Sequence, residues 1–132
     1  MTECLGLVMD GHAIKQSKII RVLGVLFNRD LTWNSHLHGN PDDPAEKGLL
    51  KSLSSTLAAV ARLPNCPLRS KKMFLTATFN SKLYYGIETW GSLPEGLIRH
   101  LQCLQNQAAK LIYKTRSLTV KEKLHLLNWL PV

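Results

Sequence analysis

Hydrophobic and polar positions alternate differently in two parts of this chain. Near the N-terminus, the apolar runs Leu5 to Met9 and Ala13 to Lys15 flank Asp10-Gly11, a pair that favours a tight hairpin turn. The run from Ile19 to Phe27 is rich in β-branched and aromatic residues and ends at Asn28-Arg29-Asp30. It predicts one buried strand followed by a turn. The pattern beyond that turn is helical to the C-terminus.

Helix starts can be located from capping residues. Asp43-Pro44-Ala45-Glu46 combines an N-cap, a proline at the first helical position and a glutamate three residues after the cap. Ser70 is the expected N-cap of a second helix, and Ser92-x-x-Glu95 and Thr119-x-x-Glu122 mark two more. The predicted helices span about Pro44 to Arg62, Ser70 to Thr89, Pro94 to Lys114 and Thr119 to Trp129.

The first and third of these helices each have an apolar face and a cationic face at 100° per residue. This pattern predicts that one face packs in a core while the other meets solvent. The apolar positions are Leu49, Leu50, Leu53, Leu57 and Val60 in the first helix and Leu97, Leu101, Leu104, Ala108 and Leu111 in the third. The cations opposite the apolar face are Lys47, Lys51 and Arg62 in the first helix, and those on the outer face of the third are Arg99, Lys110 and Lys114.

The second helix is apolar around most of its circumference, which predicts that it is the central and most buried one. Its apolar positions are Met73, Phe74, Leu75, Phe79, Leu83, Tyr84 and Ile87. The sequence thus predicts an α+β fold with a small N-terminal antiparallel β-sheet, a hairpin plus one strand, in residues 1–38. A three- to four-helix bundle follows in residues 39–132, within a single compact unit.

The charge distribution favours an anionic partner. Lysine and arginine number 17 against nine acidic residues, which gives a formal net charge of +8 and a pI near 9.7. Nucleic acid is the first partner that such a charge indicates, and an acidic membrane surface the second. From Lys47 through Ile87 there is no acidic side chain. The candidate nucleic-acid contacts are Lys47, Lys51, Arg62, Arg69, Lys71, Lys72, Arg99, Lys110 and Lys114.

Two features refine this list without deciding it. Arg69-Ser70-Lys71-Lys72 lies at a predicted helix N-terminus, where backbone amides also attract phosphate. Tyr84-Tyr85 and Trp90 are aromatic residues, a type that can stack on bases. The helical spacing of these aromatics favours core packing instead. For the lysines the alternative is that they only keep the helices soluble.

Several blocks resemble one family in order and spacing. Leu23-Gly24-Val25, then Asp30, Leu31, Trp33 and His36, resembles the segment just downstream of the catalytic palm in reverse transcriptases of animal non-LTR retrotransposons, the jockey-like LINE elements. Leu83 to Gly91 is similar to the family's "L-x-Y-G-x-x-x-W-G" helix end. The matching motif positions are Leu23, Gly24, Asp30, Trp33, His36, Tyr85, Gly86 and Trp90.

The resemblance continues to the C-terminus. Leu101 to Ile112 is similar to the family's "L-x-x-x-Q-x-x-A-x-R-x-I" helix, with Lys110 where the family usually has arginine. Leu126 to Pro131 resembles its closing "L-x-x-L-P" turn. The resemblance implies that residues 1–38 correspond to the end of the palm and residues 39–132 to the thumb. The loop from His38 to Asp43 departs from the family, in which a helix begins soon after the pair that corresponds to Trp33 and His36, called here the Trp/His step.

The chain does not show the carboxylates that polymerisation requires. Two-metal chemistry needs acidic residues brought together, and the only adjacent pair, Asp42-Asp43, lies between prolines in a loop. In the family the catalytic carboxylates lie upstream of the matching segment. We therefore expect no enzyme activity and no cofactor, only non-specific holding of an RNA/DNA template-primer duplex by phosphate contacts.

Two other functions are open: a transposon-derived helical module that binds an acidic protein, and a relic with no selected role. The sequence has no signal peptide and no membrane span, which predicts an intracellular protein, in cytoplasm or nucleus, that is not secreted.

Cys4, Cys66 and Cys103 lack metal-site spacing and are expected to be reduced and mostly buried. We expect no metal at His36-x-His38 with Asp42 and Asp43. The oligomeric state stays open.

Overall fold

The α+β fold is confirmed, with short β-hairpins followed by packed helices. The protein is described by a computed structural model that covers residues 6–90 and 92–132, except for the side chain of Trp90. The strands are β1 (Val8–Met9), β2 (His12–Ala13), β3 (Ile19–Val22) and β4 (Val25–Asn28). The α-helices are α1 (Asn34–His38), α2 (Leu49–Ala61), α3 (Leu68–Leu75), α4 (Ser81–Tyr84), α5 (Ile87–Trp90), α6 (Glu95–Ile112) and α7 (Val120–Leu127).

The first hairpin forms where the sequence predicts it. β1 pairs antiparallel with β2 around Asp10 and Gly11, whose φ angles are 50° and 77°. Both values lie in the left-handed region that this turn requires. Leu5, which the predicted run includes, lies outside the described residues.

The prediction of a single strand from Ile19 to Phe27 is wrong, because this run is a second hairpin. β3 pairs antiparallel with β4, and the chain reverses at Leu23 and Gly24, whose φ angles are 48° and 84°. An apolar residue opens this turn, so the run carries no polar signal that would have revealed it. The result is two separate two-stranded sheets rather than a hairpin plus one strand.

The first long helix starts later than its apparent cap. Asp43 Oδ1 accepts the backbone N–H of Ala45 at 2.9 Å, which makes a local turn instead of a helix N-cap. The Glu46 side chain is held by Arg21 and Asn40. α2 therefore begins at Leu49, not at Pro44. The short helix α1 precedes this loop and contains His36.

The second predicted helix is real but interrupted. It begins after Pro67, not Ser70, and a π-helical turn, Thr76–Asn80, separates α3 from α4. Gly86, with φ 69°, ends the continuous segment before α5, so the helix does not run unbroken to Thr89. A π-helical turn adds one residue to the helical repeat and rotates the side chains that follow.

Burial of this helix is one-sided, which corrects the expectation that it is buried nearly all round. Leu75, Phe79 and Leu83 are fully buried, whereas Met73 and Phe74 are 65% and 47% exposed. A narrower apolar stripe therefore faces the core.

The last two helices are close to their predicted spans. Thr119 and Glu122 form the predicted capping box of α7, which ends at Leu127 before a left-handed Asn128. Ser92 forms no such box with Glu95, because α6 begins after Pro94 without a side-chain cap. The faces predicted for α2 and α6 pack in one core, which includes Leu37, Leu53, Leu57, Phe79, Leu101, Leu104, Ala108, Leu124 and Trp129.

A buried amide ties the C-terminal segment to this core. Gln105 is fully buried, and its Nε2 donates to Tyr84 Oη at 2.9 Å and to the carbonyl of Leu130 at 2.7 Å. The Tyr84 hydroxyl also donates to that carbonyl. Burial raises the pKa of the Tyr84 phenol above its ordinary value of 10.0. Tyr84 thus packs at the core edge, as its helical spacing predicts.

Candidate nucleic-acid interface

Seven of the nine predicted cations are exposed, one is half-buried and one is buried. Lys47, Lys51, Arg62, Arg69, Arg99, Lys110 and Lys114 are exposed and Lys72 is half-buried. Lys71 is only 8% exposed and lies near Ile112 and Tyr113. The inward turn of Lys71 splits the Arg69-Ser70-Lys71-Lys72 cluster, so these residues do not present one charged face.

Two further cations are engaged by neighbouring groups. Arg99 Nη2 lies 2.6 Å from Glu95 Oε1, one helical turn away. Lys72 Nζ donates to the carbonyl of Leu126 at 3.4 Å, which directs it toward α7. Glu95 offsets the charge of Arg99, and the Leu126 carbonyl occupies one of the three donors of Lys72.

A cleft of about 390 Å³ brings together cations that are far apart in the sequence. Arg21 comes from β3, Lys47 from the segment before α2, and Lys82 from α4. The predicted list contained Lys47 but neither Arg21 nor Lys82. The remaining lining residues are Gly24, Leu26, His36, Leu49, Ser52, Ser81 and Tyr85.

The cations of the cleft are held by specific bonds. Lys82 Nζ donates to Ser52 Oγ at 3.2 Å, which joins α4 to α2. Arg21 Nε lies 3.2 Å from Glu46 Oε1, and Glu46 Oε2 accepts a bond from Asn40 Nδ2 at 3.1 Å. An ammonium has three donors, so Lys82 has two more to offer after its bond to Ser52.

Lys47 is positioned by the backbone around it. Gly39 and Lys47 form an isolated antiparallel bridge. A Cβ on Gly48 would lie 2.3 Å from Gly39 N and from Leu37 O. Only glycine allows this approach, which fixes the end of α1 against the start of α2 and holds Lys47 at the rim of the cleft.

Two motif blocks of the sequence meet beside the cleft. Tyr85 Oη donates to the carbonyl of Leu23 at 2.5 Å, and a Cβ on Gly24 would lie 3.8 Å from Tyr85 Cε1. Tyr85 is 54% exposed, unlike Tyr84, so the expectation of core packing is wrong for it. The side chain of Trp90 and all of Gly91 lie outside the described residues.

The Trp/His step packs at the junction between β4 and the helices. Trp33 meets Phe27 edge to face, with ring centroids 5.2 Å apart. His36 is 8% exposed, and its Nδ1 accepts the backbone N–H of Leu26 at 3.5 Å. Burial lowers the pKa of His36 below its ordinary value of 6.5. Asp30, in contrast, is exposed in the turn after β4.

A second concave surface separates α2 from α6. The groove has a volume of about 510 Å³ and an apolar floor of Leu57, Ala58, Ala61 and Leu111. Lys110 and Lys114 lie along its rim, together with Ser54 and Gln107. These are the two outer-face lysines that the α6 pattern predicts.

The described residues contain no group of three histidine, cysteine, aspartate or glutamate side chains arranged to hold a metal. Asp42 and Asp43 lie in an exposed turn, where Asn40 Oδ1 accepts the backbone N–H of Asp42 at 3.0 Å. The prediction of buried cysteines is wrong for two of the three: Cys66 is half-buried, Cys103 is exposed, and Cys4 lies outside the described part.

Comparisons with protein-family models, curated proteins and solved structures found no match to this chain. Within residues 6–90 and 92–132, no helix is both long and apolar enough to cross a membrane.

Proposed function

We propose that this chain is a non-catalytic part, or a domesticated remnant, of a non-LTR retrotransposon reverse transcriptase. Its function is to hold template-primer nucleic acid through basic helix faces. Support for the family comes from the ordered motif blocks. Two of those blocks, 62 residues apart, also meet through the bond from Tyr85 to Leu23.

One observation carries the nucleic-acid function: the acid-free stretch from Lys47 to Ile87 forms α2, α3 and α4, which share no acidic residue. Surface helices whose charged residues serve only solubility usually carry both acidic and basic side chains. The exposed cations in or just beyond α2, α3 and α6 are Lys51, Arg62, Arg69, Arg99, Lys110 and Lys114, of which Arg99 pairs with Glu95.

The spacing of Lys51 and Arg62 supports contacts from both side chains to one phosphate backbone. Lys51 and Arg62 are 11 positions apart, which is close to three full helical turns, so they point in nearly the same direction. They are separated by roughly 16 Å along the axis at a rise of about 1.5 Å per residue. Contacts of this kind position a duplex without reading its bases, so binding does not depend on sequence.

Fluorescence anisotropy with a labelled RNA/DNA hybrid tests the proposal. For duplex DNA, each phosphate contact contributes a slope of about −0.9 to the plot of log affinity against log salt. Replacing both Lys51 and Arg62 by alanine should therefore reduce the slope by about 2 units at most. Lys15→Ala with Lys18→Ala removes the same charge from an exposed segment outside the helices and is the matched control.

Three results would contradict the proposal: affinity that does not change between about 50 and 200 mM salt, an equal loss of affinity in the two double variants, or preference for an acidic polypeptide over the hybrid. The proposal would be supported if the chain binds the hybrid and if only the Lys51→Ala, Arg62→Ala variant shows a reduced slope of log affinity against log salt.

The groove between α2 and α6 favours a second candidate function, the binding of an acidic protein. Its apolar floor and the lysines at its rim complement an acidic amphipathic helix. In that case Lys110→Glu with Lys114→Glu should abolish binding of an acidic helical peptide, whereas Lys51→Ala with Arg62→Ala, outside the groove, should leave that binding intact. A chain that binds neither ligand would fit a relic without a selected role.

A further inference from the structure

We propose that the cleft lined by Arg21, Lys47 and Lys82 binds a single nucleotide unit, with its phosphate among the cations and its base against Tyr85. The cleft shares only Lys47 with the predicted contacts. It is a separate site from the helix faces of α2, α3 and α6.

The size of the cleft suits a ligand of this class. The volume of about 390 Å³ lies within the range of about 300–1,000 Å³ that is typical of small-molecule pockets. Its walls come from the β3–β4 hairpin, α1, the start of α2, and α4 with the adjacent Tyr85. Groups from distant parts of the chain therefore line one site.

The charge in the cleft is unbalanced. Three cations line it, and the one carboxylate near them, Glu46, already accepts from Arg21 and Asn40. Lys82 keeps donors beyond its bond to Ser52. A phosphate would therefore meet Lys47 and Lys82, which come from separate elements, while Arg21 stays paired with Glu46.

The other walls match the rest of a nucleotide. Leu26 and Leu49 are buried apolar residues that line the same cleft. Tyr85, which is 54% exposed, borders it, and the bond from its hydroxyl to the carbonyl of Leu23 holds its ring in place. A positioned aromatic ring beside cations favours an aromatic phosphate compound over inorganic phosphate, because a base can stack on the ring and phosphate alone cannot.

Titration calorimetry on the whole chain tests the site with four ligands: AMP, adenosine, inorganic phosphate, and a short single strand with a 5′-phosphate. We expect AMP and the phosphorylated strand to bind at least tenfold more tightly than adenosine or phosphate. Equal affinity for phosphate and AMP would overturn the nucleotide assignment, and so would the lack of saturable binding by any of the four.

Variants separate the charge from the ring. Lys82→Gln removes the charge while keeping a polar side chain with N–H donors, and it should weaken AMP binding at least fivefold. Tyr85→Phe keeps the ring and should retain most AMP affinity, whereas Tyr85→Leu should reduce AMP to the level of phosphate. Lys15→Gln, in the exposed segment between β2 and β3, is the matched control and should bind AMP as the unaltered chain does.

The result is interpretable even if one variant is unstable. If Tyr85→Leu does not fold, Lys82→Gln and Tyr85→Phe still decide, because an unchanged AMP affinity in Lys82→Gln would refute the site. The inference rests on the proposed function only for its choice of nucleic-acid chemistry. Duplex binding that persists without AMP binding would refute the cleft alone, whereas the reverse would refute the helix-face interface.

Discussion

Replacing Gly48 by alanine tests the backbone contact that fixes the start of α2. A Cβ at this position would lie 2.3 Å from each of three backbone atoms, Gly39 N, His38 C and Leu37 O. Ordinary contact begins near 3.4 Å, so these atoms must separate by about 1.1 Å. The obstacle is main chain rather than a flexible side chain, and Leu37 is fully buried, so little relaxation is possible.

The expected destabilisation follows from this overlap. Adding atoms to a packed interior costs about 1–3 kcal/mol, and we expect the upper end here because three backbone atoms are displaced. A loss of about 3 kcal/mol lowers the Tm of a chain of this size by roughly 12 °C, at about 4 °C per kcal/mol. The backbone of Gly48, with φ −69° and ψ 165°, is open to alanine. The whole effect is therefore steric.

Gly96 provides a matched control in the same chain. No heavy atom lies within 4 Å of a Cβ built there, and the residue is in the first turn of α6. Gly96→Ala should therefore stabilise the fold by about 0.5–1 kcal/mol through the reduced backbone entropy of the unfolded chain. Urea unfolding followed by circular dichroism measures both variants. A free energy of unfolding for Gly48→Ala within about 0.5 kcal/mol of the unaltered protein would refute the close approach.

Four further predictions concern other parts of the molecule. The pKa of His36 is lowered in the folded state, so the unfolded state binds the proton more tightly. The free energy of unfolding should therefore be retained above pH 6.5 and should fall as the pH decreases below it. The urea midpoint of His36→Gln should not show this decline. Thr119→Ala removes the capping box of α7 and should cost about 1 kcal/mol in thermal unfolding, while Thr115→Ala, outside any helix, should cost less. Gln105→Ala removes a fully buried side chain that donates to Tyr84 and to the Leu130 carbonyl, and it should cost about 2 kcal/mol in urea unfolding. A primer-extension assay on the isolated chain should show no nucleotide incorporation, and measurable incorporation would overturn the assignment of a non-catalytic segment.

What the sequence predicted correctly depends on local chemistry. The buried stripe of α2, from Leu49 to Val60, follows from 3.6-residue periodicity, and the Thr119 box follows from two residues three apart. The Asp10-Gly11 turn is similarly local. Each of these features requires information from within one or two turns of the chain, so a single sequence contains enough to locate it.

The remainder depends on contacts between distant segments. Arg21 and Lys82 line one cleft only because the run from Ile19 to Phe27 folds back on itself, and that reversal has no polar turn signal. The late start of α2 depends on Glu46 being held by Arg21, which no capping pattern contains. Lys71 is buried because the helix packs that side inward, although its sequence neighbours are charged. The charge pattern of the sequence therefore located a basic region, but it did not identify Arg21 and Lys82, which meet in the cleft.

Tyr85 connects the stability of the hairpin to the geometry of the cleft. Leu23 adopts a left-handed conformation that costs a non-glycine residue about 1–2 kcal/mol. The Tyr85 hydroxyl donates to the carbonyl of that same residue, and its ring packs beside Gly24, so one side chain holds the strained turn from two directions. Arg21 lies on the strand leading into this turn. Loss of the hydroxyl alone should loosen the turn but keep a ring in the cleft, whereas loss of the ring should affect both. The contrast between Tyr85→Phe and Tyr85→Leu thus distinguishes a structural support from a ligand contact at one position.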